Sequence, residues 1–249
     1  MRALKEAGVG FIKVHPPISW SLQRAVAEEA RRLNLPVVGH GVFPSEIIRS
    51  VTLGYWTLEH LISVHDDVHQ MLAAAGTRAT PTLALGGTTQ LMRDEPERLA
   101  DPKLRAFVPR WWMREAPRAT PRSPTRTVLA DRLASIRAAH AAGVSLQIGT
   151  DSQRGVRQLF YGAALHWEME NFVQAGLSPF EVLRIATQEA AVAVGAEDDL
   201  GTLEVGKLAD IVLLDANPLE DIKNTQTIWR VLKGGWVFDP AALQPSSGN

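Results

Sequence analysis

The chain has 249 residues, with 26 lysines and arginines against 27 aspartates and glutamates and a net charge of −1. This near-neutral balance argues against a nucleic-acid-binding face, which is usually strongly basic. No run of the sequence approaches the roughly 18 apolar residues of a membrane span, so we expect no membrane partner. The chain has no cysteine, which excludes disulfides, thiolate metal sites and a cysteine nucleophile. Any metal must therefore be held by histidine and carboxylate ligands.

The first residues predict the end of a helix, stopped by Gly8, and then a strand over Val9–Val14. Glycine directly after a helix is the usual left-handed stop. The N-terminal residues have no apolar signal-peptide core, so for the chain as written we expect a cytoplasmic location.

The same unit of helix, small turn and strand then recurs along the chain. The apolar spacing predicts helices over Arg24–Leu33, Ser45–Val51, Asp66–Ala75 and Leu129–Ala142. Strands are predicted over Pro36–Gly39, Tyr55–Glu59, Thr77–Leu83 and Val144–Ile148. Strands that alternate with helices indicate a parallel sheet, and right-handed crossovers curl such a sheet into an open sheet or a barrel.

The alternation stops between Leu85 and Thr127, in a segment rich in proline and arginine that contains the Trp111-Trp112 pair. Long insertions after a strand are usually functional or disordered. A solvated loop and a lid or partner surface are both open interpretations of this insertion, residues 85–127.

Helices are predicted again over Leu159–Gln174 and Ser178–Val194, the second behind a Ser178-Pro179 start with Glu181. After about residue 200 the pattern changes to β. A strand over Ala209–Asp215 precedes a hairpin in which Gly234-Gly235 joins Thr227–Lys233 to Trp236–Phe238. The sequence thus predicts an α/β unit over 1–200, with the insertion, and a small β appendage over 201–249.

Polar residues stand at the carboxyl ends of the predicted strands, where parallel α/β folds place their chemistry. In chain order these residues are Lys13, His40, His60, Thr82 and Asp151. Each has an ordinary alternative when taken alone: a hydrogen-bonded histidine, a surface lysine or a helix cap. Together, two imidazoles with a carboxylate are the ligands that a hydrolytic metal site needs.

The segments Ile-Lys13-Val, Val-Gly-His40, Leu-Glu-His60 and Gly-Thr-Asp151-Ser resemble strands four, five, six and eight of the amidohydrolase superfamily. The closer resemblance is to its imidazolonepropionase-like and prolidase-like branch. Residues 176–187 and 201–215 resemble the closing helices and the β-sandwich tail of that family. The resemblance implies a partial, truncated TIM-like β/α barrel whose C-terminal appendage is part of a composite β-sandwich.

The resemblance also implies roles for individual residues. Lys13 matches a carboxylated lysine that bridges two metals, and His40 and His60 match ligands of the more buried metal. Asp151 matches a metal ligand that is also the catalytic proton shuttle. The implied cofactor is one or two divalent ions, zinc before others. We expect His15, Trp20 and Thr82 to contact a small-molecule substrate, with a ligand position as the alternative for His15.

The family's His-x-His motif of strand one does not occur in this sequence, and Lys13 comes too early for three β/α units to precede it. A partial barrel leaves open sheet edges, which proteins usually cover, so we expect a homo-oligomer. The expected reaction is hydrolysis of an amide or peptide-type C–N bond by metal-activated water. Hydrolysis of esters, lactones or carbamates at the same site, and a catalytically inactive fragment, are the alternatives.

Overall fold

The computed structural model describes residues 1–61, 65–85, 91–92, 94–115, 125–152 and 160–243. The helices in these ranges are α1 (Arg2–Glu6), α2 (Trp20–Arg32), α3 (Pro44–Thr52), α4 (Asp66–Ala75), α5 (Pro102–Phe107), α6 (Arg110–Glu115), α7 (Thr125–Ala141), α8 (Ala163–Gln174), α9 (Pro179–Arg184) and α10 (Ala190–Val194). The strands are β1 (Ile12–Lys13), β2 (Val37–His40), β3 (Thr57–Glu59), β4 (Arg78–Thr80), β5 (Ile211–Leu214), β6 (Ile228–Lys233) and β7 (Trp236–Phe238). Among the described residues, no helix has the length and apolar character needed to cross a membrane.

Strands β1 to β4 form one parallel sheet in chain order. Because each strand pairs with the next one along the chain, all their carboxyl ends lie at the same edge of the sheet. The strand predicted over Val144–Ile148 is reduced to a single parallel bridge between Ala79 and Leu146. It still takes its place beside β4, since Gln147 N donates to the Ala79 carbonyl at 2.9 Å.

The main core lies between the parallel sheet and its helices. Its fully buried members include Ala30, Ile47, Leu58, Leu61, Leu72, Ala79, Ile136 and Phe172. Packing is close enough that a Cβ on Gly39 of β2 would lie 2.6 Å from the Tyr55 ring. Glycine at this position therefore leaves room for the buried Tyr55 ring.

Several helix ends follow the predicted signals, and others differ. Asn34 and Gly76 adopt left-handed φ values of 52° and 66° after α2 and α4, as expected of helix stops. Ser178 and Glu181 form the predicted capping box of α9. The helix expected as one run over Ser178–Val194 is interrupted by a π-helical turn over Ile185–Glu189. Helix α2 begins at Trp20, before the predicted Arg24, because the Ser19 hydroxyl accepts from Leu22 N.

The described part of the insertion is packed against helix α8. Its apolar side chains form a second core with residues of α8 and the segment before it: Ala84, Met92, Leu104, Val108, Trp112, Phe160, Ala164 and Trp167. Arg98 of the insertion also binds Glu170 of α8 in a bidentate ion pair. Its Nη1 and Nη2 lie 2.9 and 2.7 Å from the Glu170 carboxylate oxygens. Residues 86–90, 93 and 116–124 of the insertion lie outside the described residues, and so does Leu159, the predicted first residue of the helix that corresponds to α8.

Strands β5, β6 and β7 form the antiparallel sheet predicted for the tail. Gly234 and Gly235 both have positive φ, 56° and 83°, as a tight two-residue hairpin turn requires. The side chains of β7 are all exposed, and much of β5 and β6 is open as well.

Helix α8 is the most enclosed helix in the described part of the chain. Its buried residues are Ala164, Trp167, Glu168, Met169, Glu170, Asn171 and Phe172. The helix joins the main core, the insertion and the tail, since His166 Nδ1 also lies 2.9 Å from Thr225 Oγ1. Two carboxylates are thereby buried in the middle of the molecule.

Candidate functional site

Three of the predicted strand-end residues have left-handed backbones. The φ values of His60, Thr82 and Asp151 are 62°, 51° and 52°. Such values are uncommon outside glycine, above all for a β-branched threonine, and they persist only where surrounding contacts impose them. Their recurrence at the ends of neighbouring strands points to a functional constraint at this edge of the sheet.

Three imidazoles lie in a row along this edge. The ring centroids of His15 and His40 are 4.4 Å apart, and those of His40 and His60 are 4.7 Å apart. His15 Nδ1 donates to the Pro16 carbonyl at 2.7 Å, since a carbonyl oxygen can only accept. The structure thus brings the predicted substrate contact His15 next to the predicted ligands.

Thr82 fixes the orientation of the His60 ring. Its Oγ1 lies 2.7 Å from His60 Nδ1, while the His60 N–H donates to the Thr80 carbonyl at 2.8 Å. Because Nδ1 is engaged, Nε2 is the ring nitrogen left for a ligand. A hydrogen bond on the second nitrogen is the usual way in which proteins orient metal-binding histidines.

Four of the five strand-end residues, all but His40, border a cavity of about 570 Å³. Its polar lining includes Lys13, Glu59, His60, Thr82, Gln147 and Asp151. Glu59 and Gln147 were not among the predicted site residues. Glu59 accepts from Thr57 Oγ1 at 2.8 Å, and Gln147 Oε1 lies 3.2 Å from Thr80 Oγ1. A polar residue in an otherwise buried strand is the signal that would have identified them.

Gly149, two residues before Asp151, lies close to the side chain of Thr80 in β4. A Cβ on Gly149 would lie 2.6 Å from the Thr80 side chain. The absence of a side chain at this position lets the Gly149–Asp151 segment approach β4, so that Asp151 borders the cavity together with His60.

Burial and charge at the site favour the neutral forms of its basic groups. Burial first, and then the positive charge of Lys13, lowers the pKa of His40 to about 4. Burial also lowers the pKa of His60, although the Asp151 charge opposes that shift. Lys13 is open to the cavity, but partial burial lowers the pKa of its ammonium group. The negative charges of Glu59 and Asp151 act in the opposite direction and are outweighed.

Trp20 does not join this group. It is the first residue of α2, is partly exposed, and has the Arg49 guanidinium 5.8 Å from its ring centroid. It is absent from the lining of the cavity.

The donor chemistry of the site fits a divalent metal in part. Two neighbouring imidazoles, one with its Nδ1 engaged, are suited to zinc or a similar ion, and Lys13 and Asp151 border the same cavity. Among the described residues, however, no three His, Asp or Glu side chains form a ready-made ligand set. A complete site therefore needs Lys13 as an oxygen donor or a ligand from outside these residues.

A larger cavity of about 710 Å³ lies between α5, α8 and the tail, away from the strand ends. Its lining is mainly apolar, with Phe107, Tyr161 and Trp229. Its Lys103 ammonium already donates to the Gln226 carbonyl at 3.1 Å, and Arg98 binds Glu170. The smaller strand-end cavity has the reactive groups and is the better candidate, since size alone supplies no chemistry.

Comparison with known proteins agrees with this arrangement. Residues 2–237 match the family model described as the amidohydrolase family. The chain is 26% identical over 235 residues to an ochratoxinase of Aspergillus niger, covering 89% of this chain and 42% of that protein. It is 28% identical over 211 residues to an imidazolonepropionase of Symbiobacterium thermophilum, covering 84% of this chain and 38% of that protein.

Among solved structures, the fold is similar to that of a Xaa-Pro dipeptidase with methionine bound in its active site. The TM-score is 0.72 at 23% identity, over 96% of this chain and 56% of that one. The chain therefore belongs to the amidohydrolase family, and its predicted fold, a partial TIM-like β/α barrel with a small C-terminal sheet, is confirmed. It spans about two fifths of the length of the ochratoxinase and the imidazolonepropionase.

Proposed function

We propose that this chain is a metal-dependent hydrolase whose reaction site is the strand-end cavity, and that it cleaves an amide or peptide-type C–N bond. The observation that carries the proposal is that His60 borders one cavity with Lys13 and Asp151, while the His40 ring lies beside that of His60 with centroids 4.7 Å apart. Membership of the amidohydrolase family supports hydrolysis in general. The dipeptidase among the similar structures supports C–N cleavage in particular.

His40 and His60 would hold a divalent ion, zinc before others, with Asp151 and a carboxylated Lys13 as oxygen ligands. Carboxylation of the Lys13 amine by CO₂ turns a cation into an anionic oxygen donor, and the lowered pKa of Lys13 makes the neutral amine that this requires more accessible. A divalent ion held there supplies Lewis acidity, which strengthens water as a nucleophile near neutral pH and polarises a substrate carbonyl.

Asp151 accepts a proton from the attacking water on a carboxylate oxygen and returns it to the leaving nitrogen, acting first as general base and then as general acid. Its place at the cavity border gives it access to both partners. Glu59 adds negative charge that favours cationic Lys13 in the metal-free chain. His15, next to His40, contacts the substrate or adds a third imidazole.

There are two alternatives to this proposal. The first is hydrolysis of esters, lactones or carbamates by the same residues, since a leaving oxygen needs less protonation than a leaving nitrogen. The second is a catalytically inactive fragment, because the chain spans only part of the length of its relatives.

The test is metal stoichiometry of the purified chain by elemental analysis, with hydrolysis measured before and after chelation and zinc return. Asp151→Asn is expected to reduce turnover by about 100-fold or more, the usual range for loss of a general acid or base. Asp131→Asn, an exposed aspartate on α7, is the matched control. Unchanged turnover in Asp151→Asn would contradict the mechanism.

Matched substrates decide between the bonds. Amide and ester pairs that share one acyl group are expected to show cleavage of the amide that depends on both zinc and Asp151. Cleavage of the ester alone would favour the first alternative, and a chain that binds no metal and cleaves neither would favour the second.

Self-association stays a prediction. It is supported by the open outer edge of β1, beside which Phe11 is exposed, and by the exposed apolar side chains of β5 to β7. A location in the cytoplasm, and the division into units 1–200 and 201–249, likewise stay predictions.

A further inference from the structure

Helix α8 carries a buried carboxylate that the proposed mechanism does not use. Glu168 is 0% exposed, and its two carboxylate oxygens accept from Leu83 N at 2.7 Å and Ala84 N at 2.5 Å. A buried carboxylate is costly unless it is hydrogen-bonded. These two bonds tie α8 to a turn about 85 residues earlier in the chain.

The turn held by Glu168 begins at Thr82. Leu83 and Ala84 follow Thr82 directly and are themselves buried. Thr82 has a φ of 51°, a conformation that a β-branched residue adopts only where its surroundings impose it. The two hydrogen bonds that Glu168 accepts restrain Leu83 and Ala84, the residues that follow Thr82. This restraint helps to impose the left-handed conformation on Thr82.

The conformation of Thr82 decides where its hydroxyl lies. In the left-handed conformation, Oγ1 reaches His60 Nδ1 at 2.7 Å. With an extended backbone the side chain of Thr82 would leave the strand end in another direction, because φ sets the direction of Cβ. The position of the His60 ring is therefore linked to Glu168 through contacts that the structure shows at each step.

We infer that Glu168 is a positioning residue for His60: it holds the Leu83–Ala84 turn, the turn holds Thr82, and Thr82 engages Nδ1 of the imidazole so that Nε2 is left for a metal. The inference rests on the proposed metal site. It assigns to a residue about 85 positions further along the chain a role that no contact with substrate would suggest.

Helix α8 also supplies a matched control. Glu170 lies two residues after Glu168 and is nearly as buried, but it binds Arg98 and Gln226 instead of the turn. Glu168→Gln and Glu170→Gln therefore make the same chemical change at similar depth on one helix. A merely structural role predicts similar effects of both, whereas a positioning role predicts that only Glu168→Gln affects His60.

The experiment measures zinc affinity by competition with a chromophoric chelator, and the His60 ring nitrogens by ¹⁵N NMR in the zinc-free chain. The His60 signals are assigned by their loss in His60→Asn. Glu168→Gln keeps one acceptor and loses the other, so we expect its zinc affinity to fall by about 10-fold or more, as for other partners of metal ligands. Its His60 ring signals should shift, while Glu170→Gln should change neither measurement.

Thr82→Val and Thr82→Ser test the middle step without changing α8. Valine removes the hydroxyl and should lower zinc affinity about 10- to 100-fold, and serine should restore most of that loss. Unchanged zinc affinity and unchanged His60 signals in Thr82→Val would break this series of contacts and overturn the inference even if Glu168→Gln folds poorly. Wild-type zinc affinity and wild-type His60 signals in Glu168→Gln, or equal shifts in Glu170→Gln, would overturn the inference. If the wild-type chain binds no zinc, the proposed function fails, while the His60 signals still decide the role of Glu168.

Discussion

The parallel sheet β1–β4 and the antiparallel sheet β5–β7 are both rich in branched apolar residues, but they differ in what covers them. Leu58 in β3 is 0% exposed, whereas Val237 and Trp236 in β7 are 64% and 77% exposed. The crossover helices between parallel strands necessarily pack on their sheet, while a hairpin brings no cover of its own. The helices that connect its strands thus cover a face of the parallel sheet. The antiparallel sheet can be covered only by other parts of the chain or by another molecule.

This difference separates the roles of the two regions. The parallel sheet carries the candidate site, because its packed strands fix the positions of the residues that follow them. The antiparallel sheet carries no predicted site residue and presents apolar side chains, which are typical of a contact surface.

The largest effect expected from this comparison is on stability. Leu58→Ala should lower the free energy of unfolding by about 2–5 kcal/mol, the usual range for a buried leucine. The same change at Leu213 in β5, which is 38% exposed, should cost about 1 kcal/mol or less. Urea denaturation at two protein concentrations measures both. Equal losses would mean that the antiparallel sheet is as well covered as the parallel one.

A smaller, pH-dependent effect is expected at the helix behind the parallel sheet. Burial raises the pKa of Glu168 to about 8, against the opposing backbone hydrogen bonds from Leu83 and Ala84. A carboxyl whose pKa is raised in the folded chain contributes most stability below about pH 4.5 and loses it as pH rises to about 8. The free energy of unfolding of Glu168→Gln should therefore rise relative to wild type across that interval, by at most about 1.4 kcal/mol per pH unit.

Asp210 in the tail provides the contrast for this pH dependence. Its hydrogen bond with Lys233 lowers the pKa of the Asp210 carboxyl, so its contribution is present near neutral pH and is lost as pH falls through the lowered value. Asp210→Asn should therefore lower the free energy of unfolding near neutral pH, and its difference from wild type should shrink as pH falls through the lowered pKa. A flat difference between Glu168→Gln and wild type from pH 5 to 8 would contradict the raised pKa.

The smallest effect on monomer stability, within about 0.5 kcal/mol, is expected for substitutions of exposed apolar residues. For these variants the informative measurement is self-association. Val237→Ser on the antiparallel sheet and Phe11→Ser beside the open edge of β1 should each shift the chain toward monomer in light scattering. Phe180→Ser on α9, exposed to the same 64% as Val237, should not. A wild-type chain that is already monomeric at high concentration would refute the predicted self-association.

Much of the parallel sheet could be predicted because its signals are local. Asn34, Gly76 and Ser178 mark helix ends through their own backbone preferences or side-chain bonds, and a parallel sheet brings successive strand ends together. That rule placed Lys13, His60, Thr82 and Asp151 at one cavity. Their chemical roles stay predictions.

What the sequence could not predict depends on contacts between distant residues. The bond from Glu168 to Leu83 joins positions about 85 residues apart, and nothing local distinguishes Glu168 from an exposed helix glutamate. The Ser19 cap makes Trp20 the first residue of α2, and its contact with substrate stays a prediction. Thr82 was expected to touch substrate as well, and the structure shows that its hydroxyl is engaged by His60.

Helix α8 has a consequence for how this chain tolerates sequence change. Consecutive residues face different neighbours: His166 the tail, Trp167 the insertion core, Glu168 the turn after β4, Met169 the main core and Glu170 the arginine of the insertion. An ordinary amphipathic helix alternates constrained and free positions with a period of about 3.6 residues. Over residues 166–170 that period should be absent from a map of accepted substitutions. The insertion or the tail of this chain should therefore be exchangeable only together with matching changes on this one helix.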